Sequence, residues 1–321
     1  MDKIQIGNRW IGKGQPCFII AEAGVNHNGS LDLALRLVDA AKEAGADAVK
    51  FQTWITDKLV TPQAELAAYQ KASSTNINCQ YELQKRLELN FSQFSRIKAY
   101  ADQIGILFLS TPNEEESADF LEQLGVLAFK VSSGDITNLP LLAHLAKKRK
   151  PIILSTGMSS LGEVESAVRI IRKFGNPPLA LLHCVSNYPA DPADVNLRAM
   201  RTLENAFQVP VGYSDHTLGN EITFAATALG ACIIEKHFTL DRNLEGPDHQ
   251  ASAEPTELAE MIKGVRKIET ALGNGDKAPA TSEMDIAKIA RKSLVAAKYI
   301  AAGTALTEDM VTIKMPGDGL P

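Results

Sequence analysis

The residues able to do chemistry stand at the ends of apolar runs. VPVGYSDHTLGN at 209–220 and CIIEKHFT at 232–239 carry His216 and His237 where their β-branched segments end, and one helix-length stretch separates them. If the two runs are neighbouring parallel strands, both imidazoles surface at the same end of a sheet, where parallel α/β proteins place their active sites. Two neutral imidazoles at one mouth can hold a divalent ion, with substrate and water filling its open positions. A single histidine at a strand end reads more simply as a satisfied structural residue, so the pair carries the metal reading.

Other apolar runs end in polar groups as well: Glu22, Lys50 with Gln52, Thr111, Lys130 with Ser133 and Asp135, Ser155, Ser186 with Tyr188, Ser214, and Glu235. Alternation along a strand puts Lys50 and Gln52 on one face, and likewise Ser214 with His216 and Glu235 with His237. Ser133 lies an odd step from Lys130 and belongs past the strand end. Two lysines neutralise an anion while hydroxyls donate to its remaining oxygens, a combination suited to a phosphorylated ligand. One strand-end serine is an ordinary turn former; Thr111, Ser133, Ser155, Ser186 and Ser214 at one opening are a set. Glu22 or Glu235 could serve as a third ligand or a base. The lysines also admit a different chemistry, because a desolvated Lys130 or Lys50 could form a Schiff base with a carbonyl substrate, as in class I aldolases.

The elements that must position these groups alternate along the chain. From Cys17 onward, eight apolar runs (CFIIAEAG, AVKFQT, LFLST, AFKVSS, PIILSTG, LALLHCV, VPVGYSD and CIIEKHFT) are each followed by an amphipathic stretch. The spacing predicts a helix after Ser30 striped by Ala34, Leu37, Val38 and Ala41. It predicts further helical regions over 80–104, 114–124, 139–149, 163–174, 195–207, 220–229 and 256–272. Ser160 with Glu163 reads as a capping box. The polar stretch 62–79 reads as a substrate-side loop. Eight βα units with nearly continuous apolar strands indicate an α/β fold, a (β/α)8 TIM barrel, over residues 1–272. GVNHNG after the first strand lacks the GxGxxG of a dinucleotide fold. Residues 4–11 read as a hairpin under the barrel. Residues 273–292 read as a linker, and 293–321 hold two short strand patterns around Gly303 with a helical turn at 307–310, too little to bury a core of its own.

A net charge of -5 argues against a nucleic-acid binder, which needs a basic field. The N-terminus shows no secretion signal, and the longest uncharged apolar run is too short for a membrane span. Cys17, Cys79, Cys184 and Cys232 lack CxxC spacing and read as reduced thiols of a cytoplasmic protein.

The ordered set AEAGVNHNGS, AVKFQT, FLSTP, FKVSSGDITNLP, ILSTGMSS, LLHCVSNYP, GYSDHTLG, EKHFTLDRNLEGPDH and KSLVAAKYIAAGT resembles the sialic acid synthase family, with its N-acetylneuraminate, legionaminate and pseudaminate synthases, over about residues 15–317. The resemblance implies a metal-dependent condensation of phosphoenolpyruvate with an open-chain N-acetylated hexosamine, N-acetylmannosamine by default and a 2,4-diacetamido-6-deoxy hexose as the alternative. It implies manganese on His216 and His237, and phosphoenolpyruvate on Lys50, Thr111, Lys130, Ser133, Ser155, Ser186 and Ser214. By the same resemblance the sugar meets Gln52, Asp135, Tyr188 and Asp248, and Glu22 positions or activates the water. A C-terminal antifreeze-like (SAF) domain, here begun at about residue 293 and incomplete at 321, would cap the partner's site in a domain-swapped homodimer. Many bacterial members carry Arg before the Pro-Gly of that tail, where this chain has Met315. A Schiff-base aldolase and a non-catalytic sugar-binding protein built on the tail are the competing readings.

Overall fold

The computed structural model describes residues 3–66 and 77–320, so most of the loop expected over 62–79 lies outside the described residues. The chain divides into two compact units, Met1–Leu272 and Gly273–Pro321.

The first unit is a parallel barrel. Below it, strands β1 (Lys3–Ile6) and β2 (Arg9–Gly12) form an antiparallel hairpin that turns at Gly7, whose φ of 59° favours a residue without a side chain. Among the described residues eight parallel strands follow: β3 (Phe18–Gly24), β4 (Ala48–Thr53), β5 (Leu107–Pro112), β6 (Phe129–Val131), β7 (Ile152–Ser155), β8 (Leu179–Cys184), β9 (Val211–Asp215) and β10 (Ile233–His237). They are ordered β5-β4-β3-β10-β9-β8-β7-β6, and β5 lies alongside β6 to close the ring.

Period two along each strand separates two cores. Inside the ring Phe18, Ile20, Ala48, Leu109, Ala128, Ile153, Ala180, Leu182 and Ile233 pack together, and Ile4, Ile6 and Ile11 of the hairpin plug them from the N-terminal end. Outside it, Ile19, Val49, Phe108, Leu154, Leu181, Tyr213 and Ile234 meet the helices. The helix Leu161–Phe174 is typical. Ser160 and Glu163 close a capping box, and Val164, Ala167, Val168 and Ile171 form its buried stripe. At roughly 25 cal/mol per Å2, burying such stripes is the main driving force that holds helices to sheet.

Several boundaries differ from those the sequence suggests. The region 80–104 is two helices, Gln80–Leu87 and Phe91–Ile104, because Asn90 takes a non-helical conformation and caps the second through a reciprocal bond with Gln93. The helix expected over 195–207 is a short turn, Pro192–Val195, and a helix, Ala199–Phe207, parted by Asn196 at a φ of 47°. β6 ends at Val131, and Ser133–Asp135 is a 3-10 turn. In the second unit, the stretch read as a linker contains the helix Met284–Ala290. β11 (Ser293–Ala296) pairs antiparallel with β12 (Val311–Lys314).

Candidate active site

On every barrel strand the residue two places past the last apolar interior position carries a heteroatom side chain. Glu22 follows Ile20, Lys50 follows Ala48, Thr111 follows Leu109, Lys130 follows Ala128 and Ser155 follows Ile153. Cys184 follows Leu182, Ser214 follows Gly212, and Glu235 follows Ile233. The barrel core therefore stops at one level, and a polar ring stands on it. This ring, together with Gln52, Ser133, Ser186, Tyr188, His216, His237 and Asp248, lines a cavity of about 330 Å3 at the C-terminal face.

The ring is tied by charge. Lys50 Nζ lies 2.8 Å from Glu22 and 3.8 Å from Glu235, and donates to Thr111 Oγ1 at 3.2 Å. Lys130 Nζ donates to Ser155 Oγ at 2.7 Å and lies 3.3 Å from the Glu235 carboxylate, which also accepts from Ser214 Oγ at 3.0 Å. Gln52 Nε2 donates to Glu22 at 3.3 Å. The two glutamates are driven apart. Burial pushes Glu22 up to about 7; Lys50 opposes this and Glu235 adds to it. Burial would raise Glu235 too, but Lys130 and Lys50 together outweigh it and hold that carboxyl down at about 2. Burial lowers Lys50, but the neighbouring Glu22 and Glu235 more than compensate and keep its ammonium charged, which suits anion binding and not Schiff-base formation. Lys130 is lowered by burial, partly offset by Glu235.

Beside this ring stand the imidazoles, with ring centres 5.3 Å apart and Tyr188 against both, at 4.1 Å from His216 and 5.4 Å from His237. His216 lies one residue past β9 and His237 ends β10. His216 Nδ1 donates to the Val185 carbonyl at 2.7 Å, so in the neutral ring Nε2 carries the lone pair; burial lowers this group, but Cys184, the Val185 bond and Glu235 more than offset it and favour the protonated ring, so a metal there would displace a proton. His237 Nδ1 is buried without a hydrogen-bond partner, 3.8 Å from Asp248. Burial, with His216 and Lys50 adding to it, holds His237 neutral, the ligating form. These two rings fit a divalent ion that takes its other ligands from substrate and water. Among the described residues there is no cluster of three or more His, Cys, Asp or Glu arranged to hold a metal.

The structure brings together every site residue expected from the sequence except Asp135. That carboxylate is not in the cavity lining: the 3-10 turn directs it to Ser132 Oγ at 2.7 Å and Asn138 Nδ2 at 3.4 Å. Ser133, past the strand end as expected, accepts from Gly157 N at 2.9 Å. Asp248 sits on a loop held by Asn26, whose amide donates to Phe238 O at 2.8 Å and Ser252 Oγ at 2.9 Å; Ser252 Oγ in turn donates to Asp248 O at 2.7 Å. Burial pushes Asp248 up to about 6. Sequence reasoning missed Asn26, Ser252 and Gly157, and gave Cys184 no part in the site. The parity that found Lys130 and Ser155 would have found Cys184, which lies 3.8 Å from His216.

The NeuB family model matches residues 37–277. The chain is 48% identical to the N,N'-diacetyllegionaminic acid synthase of Legionella pneumophila, across 96% of this chain and 88% of that one. It is 41% identical to the N-acetylneuraminate-9-phosphate synthase of Mus musculus, across 96% and 85%. Among solved structures, N-acetylneuraminic acid synthetase of Leptospira borgpetersenii, in complex with citrate, superposes with a TM-score of 0.79 at 40% identity, covering 88% of this chain and 94% of that one.

Proposed function

The chain belongs to the NeuB family of nonulosonic acid synthases, and on that premise we propose that it condenses phosphoenolpyruvate with the open-chain aldehyde of an N-acetylated hexosamine. The products are a nonulosonic acid and inorganic phosphate. The observation that carries the proposal is one cavity in which two buried lysines and a set of hydroxyls face two imidazoles.

Lys50 and Lys130 take the anionic charge of phosphoenolpyruvate, and Thr111, Ser133, Ser155, Ser186 and Ser214 donate to its oxygens. His216 and His237 would hold a divalent ion, manganese by the resemblance, which polarises the sugar aldehyde when bound. Gln52, Tyr188 and Asp248, which line the same cavity, would contact the sugar. The enol carbon of phosphoenolpyruvate bonds to the aldehyde carbon, whose oxygen takes up a proton. Water adds at the former enol-phosphate carbon and gives one proton to Glu22, which makes up the proton taken by the aldehyde oxygen; the carbon–oxygen bond to phosphate then breaks, and the remaining hydroxyl proton leaves with the phosphate as the ketone forms.

For the sugar, the first reading is N-acetylmannosamine. The 48% identity with a legionaminic acid synthase, against 41% with the N-acetylneuraminate-9-phosphate synthase, favours the 2,4-diacetamido-6-deoxy hexose as a second reading. Phosphate release from phosphoenolpyruvate, measured with each sugar and manganese, separates the two. Turnover that survives exhaustive chelation, with borohydride trapping substrate on Lys130, would replace this proposal by a Schiff-base aldolase.

A further inference from the structure

Asp215 and Lys236 immediately precede His216 and His237, and they face the other side of the sheet. The alternation that turns Ser214, His216, Glu235 and His237 inward turns Asp215 and Lys236 outward. Two places earlier on that outer face, Tyr213 and Ile234 belong to the apolar layer between strands and helices. A charge pair is therefore buried where packing is otherwise apolar, with Asp215 1% and Lys236 3% exposed.

The pair joins the two histidine strands. Asp215 and Lys236 are register partners of β9 and β10, and Lys236 Nζ lies 2.9 Å from the carboxylate. Asp215 also accepts from Thr217 N at 2.9 Å, Thr217 Oγ1 at 2.7 Å, Thr223 Oγ1 at 2.6 Å and the Tyr213 hydroxyl at 3.2 Å. Lys236 uses its remaining donors on the carbonyls of Thr217, at 2.7 Å, and Gly219, at 2.9 Å. Thr217, the residue after His216, is thus held at its N–H, hydroxyl and carbonyl. Apolar residues of similar volume commonly stabilise a fold as well as a buried ion pair does. What it supplies is direction, because each bond fixes an angle that apolar packing leaves free.

We infer that the Asp215–Lys236 pair is a positioning device that fixes the spacing and orientation of His216 and His237 toward a shared divalent cation. The inference rests on the proposed function, in which those imidazoles are the ligands. Groups that orient metal ligands from behind typically change affinity about 10- to 100-fold when removed.

The test is manganese(II) binding to the full chain, followed by loss of the free-ion electron paramagnetic resonance signal, alongside thermal melting and steady-state kinetics. The double variant Asp215→Leu, Lys236→Met takes the partner from the Thr217 N–H, from neighbouring hydroxyls and from the Thr217 and Gly219 carbonyls, so it is expected to melt below the unaltered chain, and manganese binding is compared at a temperature where both are folded. It should bind manganese at least about tenfold more weakly, and lose kcat with little change in the KM for phosphoenolpyruvate. Thr217→Val, which removes one hydroxyl bond to Asp215 and strands no charge, should weaken manganese binding about threefold, the effect of a modest hydrogen bond. Unchanged manganese affinity in a folded double variant overturns the inference. If the double variant does not fold, unchanged affinity in Thr217→Val does so instead. Failure of the unaltered chain to bind manganese at all would overturn the metal reading and this inference together, and is told apart by the control.

Discussion

Gly157 follows β7 in the ILSTGMSS segment, and its missing side chain is what lets two hydroxyls of the proposed anion site converge. A Cβ at this position would sit 2.8 Å from Ser133 Oγ and nearer still to Ser186 Oγ. Carbon and oxygen need roughly 3.4 Å or more, an ordinary van der Waals separation, so in Gly157→Ala both serines must rotate or shift. They line a cavity and can move at little cost to the fold, so the expected loss of stability is under about 1 kcal/mol, or about 3 °C in melting temperature. Binding is another matter. Each hydroxyl bond to a charged oxygen contributes about 1.5–3 kcal/mol. Loss of one, with the second weakened, raises the KM for phosphoenolpyruvate by roughly 30-fold or more. The KM for the sugar should change little. Calorimetric melting together with phosphate-release kinetics checks both halves. A variant that melts normally and keeps its phosphoenolpyruvate KM within about twofold would refute the placement of Ser133 and Ser186 around the phosphate.

Four further substitutions probe the rest of the site. Glu22→Gln should lower kcat by about 10²–10⁴, the usual worth of a general base, with phosphoenolpyruvate KM almost unmoved. The unaltered enzyme should show kcat/KM rising as pH passes about 7, where Glu22 ionises, and the variant should lack that limb. The folded value lies above the ordinary 4.5, so Glu22 favours the fold fully below 4.5 and loses that contribution as pH rises through about 7. The variant should therefore gain stability relative to the parent between those limits, which melting at stepped pH would reveal. His216→Ala and His237→Ala should each abolish turnover and manganese binding while the circular dichroism spectrum stays native; near-normal rates at limiting manganese would contradict the ligand assignment. Lys130→Met strands Glu235 with Lys50 alone and removes one cation from the anion site. It should raise phosphoenolpyruvate KM about 100-fold, as expected for a buried charged hydrogen bond worth near 3 kcal/mol. An unaffected KM would remove Lys130 from that role.

The barrel, and most of the residues that line the cavity at its C-terminal face, were legible in the sequence. Strand and helix periods are local properties of the backbone, so runs such as AVKFQT and CIIEKHFT declare both their conformation and which residues share a face. Lys50 with Gln52, and Glu235 with His237, follow from that parity. Helix boundaries were less legible where a single residue leaves the helical region, as Asn90 and Asn196 do. Asp135, expected at the sugar by the resemblance, lies on the 3-10 turn after β6, outside the cavity lining, where strand alternation no longer says which way a side chain points.

What the sequence by itself determined was the set of polar residues delivered to one end of the barrel. Only ring closure decided which of them meet, because β4, β6 and β10 are far apart in the chain and the stagger of the strands sets their relative heights. That closure puts Glu235 between Lys50 and Lys130, and separates the two glutamates into one held ionised and one poised near neutrality. It also buries Asp215 against Lys236 behind the histidines. Through-space electrostatics and burial produce those differences, and neither is a property of neighbouring positions in the chain.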